Sequence, residues 1–318
     1  TDMTTAHTAN TAKKSAKTSK NKVSKYSKRK VDPAFYWMTV PAAILVSIFL
    51  YWPFLQGAAY SFTNSQGYGD FKFIGLKNYI AMFQDSRVGH AYLFTILIAV
   101  LITLGTNILG MFLAVLLNSK IAFKNGFRAI FFIPYTLSVL VIGYVFKYIF
   151  MTPLPALGQA LHIDWLSTSM ISNPDLAWFP IVFLSIWQGV AYSTLLYLAG
   201  LQTIDNEIYE AAAVDGANGF KQWLYITIPH MKQCLAFLFV TGMISGLSRF
   251  TDLFIIGGNS SSGAPGGSLQ TLLLYIYQYS FEVPQYGLSS AGAMILFGIV
   301  FVFTLFNVRM SGMFKEED

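Results

Sequence analysis

Six stretches of roughly twenty mainly apolar residues run through this chain, at about 35–60, 89–117, 128–151, 176–200, 234–256 and 286–308. A helix of roughly 20 residues crosses the hydrocarbon core of a bilayer, and only helices or closed barrels satisfy their backbone polar groups there. Of the 318 residues 54% are hydrophobic and 11% charged, whereas a soluble domain carries about 25% charged residues. The expected fold class is an all-α integral membrane protein with six transmembrane helices. The first apolar stretch, over 35–62, is longer than a signal-peptide core and lacks a small-residue cleavage site, so it is expected to remain as a spanning helix. Pro41, Pro53, Pro134, Gly143 and Gly189 lie inside spans, where neighbouring helices can satisfy the freed backbone groups. Pro134 predicts a kink in the third.

Basic residues orient the spans. Nine of the 21 Lys and Arg lie between Lys13 and Lys30, in a Ser/Thr/Ala/Asn/Lys stretch too poor in apolar side chains to fold alone. With that tail in the cytoplasm, Lys120, Lys124, Arg128, Lys221, Lys232, Arg309 and Lys315 also fall inside. Only Lys72, Lys77 and Arg87 fall outside, while Lys147 and Arg249 fall within spans. The positive-inside rule therefore puts both termini in the cytoplasm. The expected organisation is a basic, disordered cytoplasmic tail over 1–32, a transmembrane domain over 33–310 and a short cytoplasmic tail over 311–318. The first tail reads as a topology anchor touching anionic membrane lipid. It lacks the interleaved aromatics of a nucleic-acid-binding arm, so no nucleic-acid partner is expected. Cys234 is the single cysteine and His7, His90, His162 and His230 are scattered, which argues against a disulfide framework, a zinc site and a membrane-embedded enzyme.

The loop over 202–233, between the fourth and fifth spans, has more structure than a connector needs. Residues 210–229 read EAAAVDGANGFKQWLYITIP. Glu210, Ala211 and Ala212 favour helix, and Asp215-Gly216 can end it. A second amphipathic turn follows through Phe220, Trp223, Leu224 and Ile226, until Pro229 is expected to stop it. This string resembles the EAA loop of binding-protein-dependent ABC importer permeases, in the Asp-Gly-Ala form of the carbohydrate branch. Phe73 to Tyr79, Phe127-Arg128 with Phe132-Ile133-Pro134, Trp187-Gln188-Gly189, Thr251-Asp252-Leu253-Phe254, Thr271 to Tyr277 and Tyr286 to Ala291 are similar to flanking segments of the same family.

The resemblance implies a permease subunit of the bacterial cytoplasmic membrane that imports carbohydrate. Its partners would be a second homologous permease, two ATPase subunits and an extracytoplasmic sugar-binding protein, the last received by the outer loops 58–88, 152–175 and 257–285. No phosphate-cradling G-x-x-x-x-G-K-[ST] string occurs, so the chain is expected to hold no cofactor, with ATP and Mg bound by the partner ATPase. In the family's mechanism Glu210 would pair with a basic residue of the ATPase, Ala211 and Ala212 would allow close approach, and Asp215-Gly216 would turn the chain across the contact.

The substrate path calls for polar and aromatic groups facing the bundle interior, because ionisable groups facing lipid are costly. Gln188, Gly189, Tyr192, Ser245, Arg249 and Asp252 are the candidates. Gln188 with Tyr192, and Ser245 with Arg249, are four apart and would share helix faces. By the resemblance, Gly189, Tyr192, Gly242, Ser245, Gly246 and Arg249 match positions that line the sugar site of maltose-type permeases. A Gly or an Arg here replaces some small hydroxyl or amide residues of that family. Arg249 reads as an ion-pair partner of Asp252 on one helix face, or alternatively as a contact to an anionic sugar group. Lys147 is expected to snorkel to the outer end of its span, and Asn107 to hydrogen-bond between helices. An importer for another small solute, such as glycerol-3-phosphate or a polyamine, is the alternative. A secondary carrier would be expected to show paired repeats and broken helices, neither of which is visible in the sequence.

Overall fold

The structure, a computed structural model, describes residues 33–119 and 123–311. The basic tail expected over 1–32, Lys120, and the C-terminal tail beyond Ser311 lie outside the described residues. The chain divides into two units, one ending at Gln56 and one beginning at Gly57.

Among the described residues, six helices are long and apolar enough to cross a membrane: Trp37–Tyr60, Ser86–Asn118, Val139–Ala160, Trp178–Leu201, Lys232–Ile256 and Tyr286–Arg309. The first is α1 (Pro33–Val46), a π turn (Ser47–Tyr51) and α2 (Trp52–Tyr60). After a short α3 (Lys77–Gln84) comes α4 (Ser86–Asn118). Its 33 residues extend over about 50 Å, more than the hydrocarbon core requires. The third apolar segment is α5 (Lys124–Thr136) and α6 (Val139–Met151), followed by α7 (Pro153–Ala160). The fourth is α8 (Trp178–Leu201). The loop holds α9 (Asn206–Val214), α10 (Gly219–Gln222), a π turn (Trp223–Thr227) and α11 (Ile228–His230). The fifth segment is α12 (Lys232–Leu247) and α13 (Thr251–Ile256). Then come α14 (Leu272–Tyr277), a π turn (Gln278–Glu282) and α15 (Tyr286–Ser311).

Two segments are broken where the sequence predicts continuous or merely kinked helices. Pro134 lies inside α5, but the helix stops at Thr136, with Leu137 and Ser138 extended (ψ 145° and 131°). Proline cannot donate a backbone hydrogen bond and crowds the preceding turn. The fifth segment is interrupted at residues 248–250, where Phe250 adopts φ −134°, ψ −58°.

The three π turns share one cause. Trp52, Ile228 and Val283 each donate their backbone N–H to the residue five back, Ser47, Trp223 and Gln278. Each of the three immediately precedes a proline: Pro53, Pro229 or Pro284. A proline ring clashes with the carbonyl four residues before it, and the wider π ring moves that carbonyl aside. At Pro229 the turn before the proline opens, and the helix ends at His230, one residue past the expected stop.

Within the unit beginning at Gly57, α4 is the central pillar, packed along α8 on one side and α12 on the other. Between helices in lipid, association depends on close packing of small residues. A Cβ on Gly246 of α12 would lie 2.7 Å from the Ala99 Cα of α4. One on Gly110 would lie 2.7 Å from the Ser193 Cβ of α8. Three apolar clusters result: Ile98, Ile142, Leu184 and Leu253 in one; Ala99, Met243, Tyr275 and Leu296 in another. Met111, Tyr197, Leu201 and Met231 belong to a third, beneath the α9–α11 loop. In the third, Tyr197 donates its hydroxyl to Asn107 Oδ1, and Asn107 Nδ2 donates to the Thr103 carbonyl at 2.7 Å, the interhelical role expected for that asparagine.

At the opposite end, Asn78 Nδ2 donates to the carbonyls of Ser61 and Thr63, both at 2.8 Å. Gly287, at the start of α15, donates its N–H to the Ser65 carbonyl at 2.8 Å, and a Cβ there would lie 2.1 Å from Thr63 O. Nearby, Asp85 caps α4 through the Arg87 N–H and pairs with the Arg87 guanidinium at 2.8 Å. Arg87 Nη2 also donates to the Tyr279 hydroxyl at 2.8 Å.

Candidate functional site

The breaks in the third and fifth segments both line one polar cavity of about 570 Å³. Leu137 and Val139 contribute from the first break, and Ser248, Arg249, Phe250 and Thr251 from the second; α8 supplies Ser185, Gln188 and Gly189. A smaller cavity of about 260 Å³ adjoins it and shares Tyr135, Ser185, Gly189, Ser245 and Arg249, adding Tyr192 and Gly242. All six sequence candidates thus come together: Gln188, Gly189, Ser245, Arg249 and Asp252 at the larger cavity, Tyr192 at the smaller.

The geometry refines several expectations. Gln188 and Tyr192 lie on α8 as expected; Gln188 Nε2 donates to the Leu137 carbonyl at 3.4 Å, reaching a backbone group freed by the break. Tyr192 stacks on Tyr135, with centroids 5.5 Å apart. Ser245 and Arg249 do not share a helix face, because α12 ends at Leu247 and Arg249 lies in the break. The ion pair runs from within that break to the first turn of α13, with Arg249 Nε 2.5 Å from Asp252 Oδ2. Of the glycines matched through the resemblance, Gly189 and Gly242 line the smaller cavity, but Gly246 packs on Ala99.

Lys147 departs from its expected reach along the span. Its Nζ donates to the Ile255 carbonyl at 2.9 Å, joining α6 to α13. Ser185 and Tyr135 were not among the sequence candidates. Ser185 precedes Gln188, Gly189 and Tyr192 by three, four and seven residues, the repeat of one helical face, so the periodicity of α8 does contain it. Tyr135 has no comparable signal, because its position depends on where α5 breaks.

The loop is folded by its own bonds. Gly216, at φ +79°, sits where α9 ends. Its N–H donates to the Ala213 carbonyl at 3.1 Å and that of Ala217 to Ala212 at 2.9 Å, the paired bonds of a Schellman cap. Asn218 then caps the next helix through the Lys221 N–H at 2.9 Å. The two arms are tied together by Tyr209 and Thr227, whose hydroxyls lie 2.9 Å apart, and by Gln222 Nε2 donating to the Tyr209 carbonyl at 3.3 Å. Glu210 and Asp215 are exposed, and neither carboxylate has a hydrogen bond or ion pair among the described residues. Val214 is 89% and Phe220 68% exposed. Among the described residues no three His, Cys, Asp or Glu side chains converge as metal ligands.

Among the described residues, six apolar helices, a polar cavity lined by helix breaks and a self-folded helical loop are the architecture of a multi-pass membrane protein with a polar interior site. Residues 106–311 match the family described as binding-protein-dependent transport system inner membrane component. The chain is 38% identical over 285 residues to the multiple sugar-binding transport system permease protein MsmF of Streptococcus mutans, covering 88% of this chain and 97% of the relative. It is 30% identical over 277 residues to the probable starch degradation products transport system permease protein AmyD of Thermoanaerobacterium thermosulfurigenes, covering 87% and 93%. Its fold is similar to that in the crystal structure of a bacterial ABC transporter involved in the import of the acidic polysaccharide alginate. That likeness has TM-score 0.76 and 20% identity and covers 93% of this chain and 100% of the other. The chain belongs to the binding-protein-dependent ABC transport permeases of the inner membrane.

Proposed function

We propose that the chain is one of two related permease subunits of an ATP-driven sugar or oligosaccharide importer, with both termini and the α9–α11 loop in the cytoplasm. The observation that carries the reading is the convergence of Gln188, Tyr192, Ser245, Arg249 and Asp252 on adjoining polar cavities, in a chain whose relatives are named for multiple sugars and starch degradation products. Tyrosine rings pack on sugar faces, and amide, hydroxyl and guanidinium groups bond sugar hydroxyls. Cargo would reach the cavity from an extracytoplasmic binding protein, consistent with the family's description, received by the loops at 58–88, 152–175 and 257–285.

Energy would come from two ATPase subunits, which bind ATP and Mg. The exposed end of α9 would enter a cleft of one ATPase, Glu210 pairing with a basic residue there and Ala211 and Ala212 allowing close approach. Because Gly216 and the Tyr209–Thr227 and Gln222–Tyr209 bonds make the loop one folded element, it can transmit ATPase closure as a rigid lever. Asp215, beside Gly216, would lie at the rim of this contact.

The test is ATP-dependent uptake of labelled oligosaccharides into proteoliposomes holding this chain, its partner permease and the ATPases, with the binding protein added outside. Accumulation that requires both ATP and the binding protein is expected. Equal uptake without the ATPases would mean that the chain works as a carrier.

A further inference from the structure

We propose that Asp252 makes this transporter selective for uncharged carbohydrate by cancelling the charge of Arg249. The inference rests on the cavity being the sugar path and extends it to the charge of the cargo. Arg249 lines both adjoining cavities. Its Nε donates to Asp252 Oδ2 at 2.5 Å, and no other hydrogen bond reaches the guanidinium among the described residues. The Asp252 side chain is 2% exposed and that of Arg249 17%. Ser185 on α8 braces the carboxylate, its one hydroxyl hydrogen shared between Asp252 Oδ2 at 3.2 Å and the Ile181 carbonyl at 2.5 Å.

Among the described residues, no other Asp, Glu, Lys or Arg of this chain lines either cavity. This chain's share of the wall therefore carries one positive and one negative charge in contact, with no net charge. A guanidinium has five N–H donors, so the ion pair leaves donors for ligand hydroxyls. A neutral sugar can accept those hydrogen bonds. A uronate or phosphate would leave water for a wall whose single cation is already neutralised, and would lie close to a second carboxylate, an arrangement that opposes binding. Without the Asp252 charge, Arg249 becomes a counter-ion for such a ligand. The aspartate thus sets the charge class of the cargo, and Ser185 acts as a positioning residue.

The assay uses the assembled transporter of both permeases and the ATPases in detergent. Equilibrium binding of labelled maltotriose and of trigalacturonate is measured without the binding protein, so that its specificity does not enter. Binding-protein-dependent uptake of a neutral oligosaccharide panel by the wild type runs in parallel. Asp252→Asn should raise the trigalacturonate-to-maltotriose binding ratio by about tenfold or more, as expected for a buried charge left unpaired. The Arg249→Gln/Asp252→Asn double variant should return the ratio toward that of the wild type, whatever its absolute binding. An unchanged ratio in an assembled Asp252→Asn transporter overturns the proposal. So does a double variant that admits trigalacturonate, a result that can be read even where the single variant fails to assemble. Wild-type uptake of no neutral oligosaccharide, by contrast, counts against the sugar reading itself.

Discussion

Lys147 Nζ donates to the carbonyl oxygen of Ile255 at 2.9 Å, so the second half of the broken third segment holds the C-terminal end of the second half of the broken fifth. Gly143, one turn earlier on α6, allows the approach, since a Cβ there would meet Ile255 Cδ1 at 3.2 Å. The Ile255 carbonyl also accepts from the Gly258 N–H at 3.2 Å, so replacing the lysine does not leave it unpartnered. Lys147→Met should therefore destabilise by about 1.5 kcal/mol, the lower end for a hydrogen bond to a charged group. Thermal unfolding of the detergent-purified transporter measures this, and an unchanged Tm would show that α13 is held by packing alone.

Gly216 carries a different kind of constraint. Beyond its immediate chain neighbours nothing lies within 4 Å of the position a Cβ would take, yet φ is +79°. A side chain there is opposed by backbone conformation, by about 1 to 3 kcal/mol for a residue held in the left-handed region. Asn tolerates that region far better than β-branched Val. Gly216→Val should leave ATP hydrolysis in place while abolishing uptake, whereas Gly216→Asn should retain much of it. ATP-driven uptake by an assembled Gly216→Val transporter would remove the loop from the coupling path.

The Tyr197–Asn107 bond joins α8 to α4 among buried apolar side chains. Tyr197→Phe removes the donor and leaves the Asn107 amide oxygen without it. A double-mutant cycle with Asn107→Leu should give a coupling of about 0.6 to 2 kcal/mol, the range for hydrogen bonds between membrane helices. Additive changes in unfolding free energy would mean that the two residues act independently.

Asp85 lies just before α4, and its side-chain bond with Arg87 holds the carboxyl below its usual value of 3.8. A depressed carboxyl stabilises the fold fully above its unfolded pKa, and that contribution is lost only as pH falls through the lower folded value. Asp85→Asn should lower the Tm by the same amount at every pH from about 5 to about 8. A difference that opens or closes inside this window would have to come from another group.

Much of this architecture follows from local rules. The six spans could be read from apolar length, since in lipid a single segment satisfies its own backbone only as a helix. The end of α9 could be read from Asp215-Gly216, because a helix cap depends on neighbours a few residues away. Proline was legible only in part: Pro229 predicts a stop and the helix ends one residue on, but the form of the preceding turn, and whether Pro134 kinks or ends its helix, depend on whether that turn can widen. At Pro229 it does, and near Pro134 the helix ends instead.

The substrate candidates were legible as residue types on apolar spans, where polar side chains are conspicuous. Their arrangement was not. Arg249 meets Asp252 from within a break rather than along one helix face. The Gln188–Leu137 and Lys147–Ile255 bonds join residues 51 and 108 positions apart. The sequence by itself determined the number of spans, the polar loop and the charged residues available to a path. Tertiary structure alone decided where two spans break and which side chains face the cavity, because backbone groups freed within an apolar segment must find partners on neighbouring helices.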